Sequence, residues 1–356
     1  MLIAQLLNLL YNIVDRIYIG KIPGEGTLAL ASIGLCFPFV TLITAFANLF
    51  GLGGAPLCAM ARGKGNREGA QGIMVNAGFM LLLSGAVLTV LGIAFHRPLL
   101  YLFGASEVTY PYASSYIVIY LIGTLCVMLS LGLNPYINCQ GFARTGMLTV
   151  ALGAAANIVL DPIFIFALHL GVRGAAIATV LSQFLSAAWV VKFLTGKKAE
   201  LKLDFRGFRP DCQCIQRITV LGIASFVMSF TDTLVQVACN ATLRNFGGDL
   251  YISVMTVLNS VRQIAQTPVL AIADGASTAI SYNYGAGLYK RTRDAIRFMT
   301  QIAIGYTMLV WMLVSLFPAL FIRIFNQDAE LVAAAVPALH IYFFGFVMMA
   351  FQYAGQ

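Results

Sequence analysis

The sequence predicts an all-α integral membrane protein of two pseudo-symmetric six-helix lobes, on three observations. They are a charge-poor apolar composition, ten long runs with few charges, and a repeat at one fixed offset. Of the 356 residues, 60% are hydrophobic and only 10% are Asp, Glu, Lys or Arg, and the mean hydropathy is +0.85. An ordinary soluble domain is roughly a quarter charged, so a soluble globule is excluded, and with it disorder, a coiled coil and nucleic-acid binding. The 33 Gly and 25 Phe suit helices that pack closely in lipid.

Stretches of about 20 residues with few charges fall at 2–20, 28–56, 70–95, 110–138, 145–168, 174–194, 216–243, 250–282, 298–318 and 331–356. The first carries Asp15 and Arg16, and the fifth Asp161. The seventh carries Asp232, and the eighth Arg262 and Asp274. The second, third, fourth, ninth and tenth hold no Asp, Glu, Lys or Arg at all. All ten are expected to be helices, because lipid offers no partner to open backbone groups and the runs are far too long for barrel strands.

The Lys and Arg of the loops set the orientation. Loops after the even-numbered spans, counted with Lys192 and Arg217 at the adjoining span ends, hold fifteen, among them Arg62, Lys64, Arg67, Lys197, Lys198, Lys202 and Arg293. The alternate loops hold five: Lys21, Arg97, Arg173, Arg244 and Arg323. The even-numbered loops are therefore placed in the cytoplasm. The seven Cys form no disulfide framework, and the C-x-C of Cys212 and Cys214 in a basic loop is not read as a metal site. His96, His169 and His340 are scattered and are not read as ligands either. With apolar residues from the start and no basic n-region, no removable signal peptide is expected, and the chain reads as beginning inside a helix.

The longest hydrophilic segment, Gly196 to Cys214, divides the chain, and the sequence beyond it matches the sequence before it at an offset of 222. Gly53, Gly63, Gly65, Tyr120 and Gly123 thereby match Gly275, Gly285, Gly287, Tyr342 and Gly345. Six helices lie between the copies, an even number, so the repeats run parallel. The expected organisation is an N-lobe at 1–195, a cytoplasmic linker at 196–215 and a C-lobe at 216–356, with helices 11 and 12 absent.

Ionisable groups inside a bilayer are costly and mark function by default. Asn8, Tyr11, Asn12 and Asp15 recur at i, i+3, i+4 and i+7, which puts them on one helix face. Asn157 and Asp161 are four apart and share a face, and Pro162 releases the carbonyl of Ile158 from the helix ladder. In the assigned orientation Asp15, Asp161 and Thr179 all lie roughly 8 to 11 Å below the outer surface, at 1.5 Å per residue. These three converge on one level. Two carboxylates in low dielectric repel, so one holds a proton until a cation replaces it. Carboxylate, amide, hydroxyl and carbonyl oxygens suit a hard monovalent cation. Asp232 and Asp274 stand nearer cytoplasmic helix ends, and the blander reading, in which Arg262 pairs with one of them, is preferred there.

These residues resemble a known family. N-I-V-D-R-I-Y-I-G at Asn12 to Gly20, A-R-G-K-G-N at Ala61 to Asn66, N-I-V-L-D-P-I-F-I-F at Asn157 to Phe166, G-V-R-G-A-A-I-A-T-V-L-S-Q at Gly171 to Gln183, and S-Y-N-Y-G-A-G at Ser281 to Gly287 are similar to motifs of multidrug and toxic compound extrusion (MATE) transporters, in a DinF- and MepA-like branch of the MOP superfold. The resemblance implies two lobes around a V-shaped cleft that export mainly organic cations in exchange for Na+ or H+. It also implies a cation or proton site at Asp15, Asn157, Asp161 and Thr179. Asn8, Tyr11, Asn12 and Gln183 are candidates for lining the substrate cleft. In another branch the second lobe carries the coupling acids; here Asn240 stands near the counterpart of Asp15 and residues 331–356 hold no acid, so no coupling site is expected there.

The expected function is therefore cation-coupled multidrug antiport by alternating access in the plasma membrane. No cofactor is expected besides the coupling ion, the chain acts as a monomer, and it is not an enzyme. A lipid-linked oligosaccharide flippase of the same superfold would need several cations for a pyrophosphate, whereas the spans offer Arg16 and Arg262. An intramembrane aspartyl protease would need Y-D and G-x-G-D motifs, and here the first Asp follows Val. A pure channel fits the lobe repeat and linker poorly.

Overall fold

The computed structural model describes residues 7, 14, 15, 18, 19, 22, 26–324 and 329–354, and every element assigned among them is helical. The order is α1 (Gly26–Gly63), α2 (Arg67–Leu102), α3 (Tyr110–Ile122), α4 (Thr124–Cys139), α5 (Ala143–Pro162), a π-helical turn (Ile163–Ala167) and α6 (Gly171–Thr195). There follow α7 (Cys212–Gly285), α8 (Tyr289–Leu316), α9 (Pro318–Arg323), α10 (Ala329–Phe343) and α11 (Met348–Ala354). Six helical stretches among the described residues are long and apolar enough to cross a membrane, or seven if α3 and α4 form one broken span. The expected first span lies largely outside the described residues.

The chain divides into two compact units. The larger comprises Leu6–Phe230 with Gly285–Gly287. In it α1 packs on α2 and α4, α4 packs on α6, and α6 packs on α5, enclosing Met74, Leu81, Met128, Leu133, Tyr136 and Ile137. The α1–α4 crossing is tight because both backbones are bare at the same level. A methyl on Gly51 would lie 2.8 Å from the Gly132 carbonyl oxygen, the small-residue contact that lets lipid-embedded helices associate. One turn on, the buried Tyr136 hydroxyl donates to the Phe50 carbonyl at 2.8 Å, which answers the need of a phenol in apolar surroundings.

Four expected spans differ in the structure. The run 110–138 is broken into α3 and α4, bent by 55° at Gly123. A Cβ at that position would sit 2.6 Å from Val180 of α6, so the glycine lets α6 press into the bend. The expected runs 216–243 and 250–282 are one uninterrupted helix, α7, whose only proline is Pro268; nothing between them removes a helical N–H. The run 331–356 is split into α10 and α11 by a turn at 344–347, around Gly345.

The segment between α6 and α7 is fastened to the larger unit. Ala199, Leu201 and Leu203 are buried. The Leu201 N–H donates to Oε1 of buried Gln140 at 3.0 Å, and the Asp211 N–H donates to Oδ1 of buried Asn76 at 3.0 Å. Arg62 adds an ion pair to Glu200. Buried side-chain acceptors thus take up backbone donors that would otherwise be orphaned.

The smaller unit comprises the described residues of Thr231–Tyr284 and Leu288–Gln356. Val254, Leu258 and Val261 of α7, Val314 of α8, Ile322 of α9, and Leu331, Ala335 and Leu339 of α10 form its core.

Candidate functional site

The end of α5 positions the site. Pro162 is its last residue and lacks an N–H, so the ladder cannot continue in α register. The chain widens into the π turn Ile163–Ala167, closed by Leu168 N–H donating to the Ile163 carbonyl at 2.9 Å. Such turns are rare and recur at functional sites. His169 (φ 52°) and Gly171 (φ 54°) reverse the chain in the left-handed region, and α6 then returns against the π turn. A Cβ at Gly174 would lie 2.5 Å from the Phe164 carbonyl oxygen, so only a glycine lets α6 approach this backbone.

That approach carries Thr179 of α6 to the polar face of α5. Asn157, Asp161 and Thr179 are 1%, 0% and 4% exposed. The Asn157 amide Nδ2 donates to Asp161 Oδ1 at 3.2 Å and is 3.4 Å from Thr179 Oγ1. Asp15, half-buried, brings its carboxyl within hydrogen-bonding range of Asp161. Asn157 Oδ1 and Asp161 Oδ2 are buried and accept no hydrogen bond among the described residues.

The result is a pocket of oxygen acceptors around one shared amide donor. Two carboxylates, an amide oxygen and a hydroxyl face each other where water is excluded, and adjacent like charges there are strongly unfavourable. A proton on one carboxyl relieves the repulsion, and so does a small hard cation among the oxygens. The donor set fits either.

The structure therefore brings Asp15, Asn157, Asp161 and Thr179 together. Asn8, Tyr11 and Asn12 lie outside the described residues, as does Arg16. Gln183 stands one turn beyond Thr179 on α6, and its Oε1 accepts from the Ser130 hydroxyl of α4 at 2.6 Å. Ser130 is buried and carries no distinguishing signal in the sequence, where it is one serine in an apolar run. Asp232, Asp274 and Arg262 belong to the smaller unit.

Comparison with known proteins gives one answer. The family model MatE matches residues 1–163 and 224–356, the second stretch beginning 223 residues after the first. The chain is 25% identical to the multidrug export protein MepA of Staphylococcus haemolyticus, over 96% of this chain and 75% of that protein. It is 22% identical to MepA of Staphylococcus aureus strain MW2, over the same shares of each chain. Among solved structures, the outward-facing conformation of a multidrug resistance MATE family transporter of the MOP superfamily aligns with a TM-score of 0.91 at 25% identity, over 99% of this chain and 78% of that one. A MATE structure in the bent conformation aligns with a TM-score of 0.87 at 26% identity, over 100% of this chain and 80% of that one. With an all-helical fold, apolar spans and a family model that covers most of its length, this chain belongs to the MATE family of multi-pass membrane transporters.

Proposed function

We propose that this chain exports organic, mostly cationic compounds across the plasma membrane by antiport with Na+ or H+. Asp15, Asn157, Asp161 and Thr179 hold the coupling ion. The observation that carries the reading is the pair of carboxylates, Asp161 buried and Asp15 half-buried, beside two buried oxygens, Asn157 Oδ1 and Asp161 Oδ2, that accept no hydrogen bond among the described residues. Buried acceptors without donors are costly, and a proton or a small cation entering the pocket removes that cost.

Coupling then follows from differential affinity. An ion shifts a conformational equilibrium only as far as it binds one state more tightly than the other. Entry of a cation at Asp15 and Asp161 from outside favours the state that releases the drug, and alternating access returns the protein for another substrate. With the 196–211 segment tied to Gln140 and Asn76, that segment moves with the larger unit. The basic residues within it, Lys197, Lys198, Lys202, Arg206 and Arg209, keep it in the cytoplasm. Asp161→Asn keeps the shape of the side chain and removes its charge, so it is expected to abolish export at normal surface expression. Undiminished drug resistance in that variant would overturn the reading.

A further inference from the structure

Two of the seven cysteines meet inside the larger unit, away from the carboxylates. Gly51 of α1 and Gly132 of α4 cross with bare backbones in contact, and each is followed seven positions later by a cysteine, Cys58 and Cys139. Seven positions are about two helical turns, so each cysteine shares the face of its glycine. The same spacing on both helices makes α1 and α4 run in one direction and brings the thiols to one level. Cys139 Sγ is 3.2 Å from Cys58 Sγ. Both are free thiols, 2% and 0% exposed. A buried cysteine by itself is a small apolar side chain, but here two sulfurs touch across a helix pair.

Neighbouring groups fix the contact. Cys58 Sγ donates to the Ala70 carbonyl of α2 at 3.5 Å, and Cys139 Sγ lies 3.3 Å from the Tyr136 carbonyl of its own preceding turn. One turn beyond Cys58, Arg62 donates to the Cys139 carbonyl and pairs with Glu200. Gln140, next to Cys139, accepts from the Leu201 N–H. The segment between α6 and α7 is thus fastened at the end of the helix pair where the thiols meet.

We propose that Cys58 and Cys139 are a redox-sensitive dithiol that a peroxide closes to a disulfide, stapling α1 to α4, and that the 196–211 segment shields it. One thiol gives up its proton and attacks a peroxide oxygen, breaking the O–O bond and leaving a sulfenic acid. The second thiol attacks that sulfur and forms the S–S bond. With hydrogen peroxide each step releases one water, which takes up the thiol proton. Each sulfur loses one electron, and each peroxide oxygen gains one. The sulfurs need only close from 3.2 Å to about 2.05 Å. A soft metal held in line between two thiolates at about 2.3 Å each would instead part them to about 4.6 Å, so the spacing favours the disulfide. The bond joins residues 81 positions apart, and a cross-link over so long a loop stabilises chiefly by restricting the unfolded chain.

The test treats the purified full chain with hydrogen peroxide, blocks the remaining thiols with iodoacetamide in denaturant, and weighs the tryptic peptides. A pair joined through Cys58 and Cys139 and separated by dithiothreitol is expected, with a Tm about 5 °C or more above that of the reduced protein. Cys139→Ala should show neither the joined pair nor the peroxide-dependent rise, and Cys58→Ala serves if that variant fails to fold. Gln140→Ala, which unfastens Leu201, should form the pair faster than the wild type. Cys58 and Cys139 that both carry iodoacetamide after peroxide has oxidised the exposed Cys212, or that are joined to other cysteines, would overturn the dithiol. A joined pair with no rise in Tm would overturn the staple, and equal rates in Gln140→Ala and the wild type would overturn the shielding.

Discussion

Asn157 is the residue on which the carboxylate pocket turns, because its one amide group serves Asp161 and faces Thr179. Removing the hydroxyl of Thr179 takes an oxygen from the pocket without changing its charge. Thr179→Val is therefore expected to raise the ion concentration for half-maximal efflux about tenfold, the worth of a hydrogen bond to a charged group, and Thr179→Ser to leave it within about twofold. Equal values for the two variants would remove Thr179 from the ion site. Gln140→Ala exposes a different dependence. It orphans the Leu201 N–H at a cost of about 1–3 kcal/mol, so trypsin should cut faster after Lys202 than in the wild type. Asp15, Asn157 and Asp161 are legible in the sequence because carboxylates inside apolar runs are rare enough to stand out. Ser130, Gln140 and Asn76 are not, because polar side chains in helices commonly bond their own preceding turn. Ser182 does so to Ala178 at 2.7 Å, and no feature of the sequence separates it from Ser130, which reaches Gln183.

At the scale of elements the repeat becomes visible in the backbone. Gly65 and Gly287, related by the offset of 222, adopt φ of 75° and 73° after the ends of α1 and α7. The helices that follow begin at Arg67 and Tyr289, the same offset apart. Gly123 and Gly345, another matched pair, mark the bend between α3 and α4 and the turn between α10 and α11. Their surroundings differ, and so do the expected effects of substitution. Gly65→Ala and Gly287→Ala meet no atom within 4 Å but pay for a left-handed backbone, so each is expected to cost about 1 kcal/mol and to lower Tm by similar amounts. Gly123→Ala should lower Tm further, since its methyl meets Val180, whereas Gly345→Ala, with nothing within 4 Å, should be near neutral. A Gly345→Ala variant as unstable as Gly123→Ala would contradict this packing. The glycine register was legible in the sequence, but the break at Gly123 was not, because it depends on the approach of Val180 from a distant helix. The continuity of α7 was missed for the opposite reason: Arg244 and Asp249 interrupt the apolar pattern, yet every residue but proline retains the N–H that a helix needs.

For the whole molecule, the proposed function couples the carboxylate pocket of α5, α6 and Asp15 to export of a substrate through a conformational cycle. The composition and the long apolar runs made the membrane class legible from the outset, while the number of crossings was harder to read because glycine and proline break some runs and spare others. If the carboxylates couple the ion to the cycle, then Asp15→Asn and Asp161→Asn should each stop gradient-driven efflux, and combining them should add nothing, since the two groups act as one site. The most direct measurement is ethidium efflux from cells that express the wild type or Asp161→Asn at equal surface levels, with the Na+ and H+ gradients collapsed separately. Wild-type efflux is expected to fail when one of the two gradients is collapsed, and the variant is expected to show no gradient-dependent efflux. Efflux by Asp161→Asn that still follows the ion gradient would contradict it.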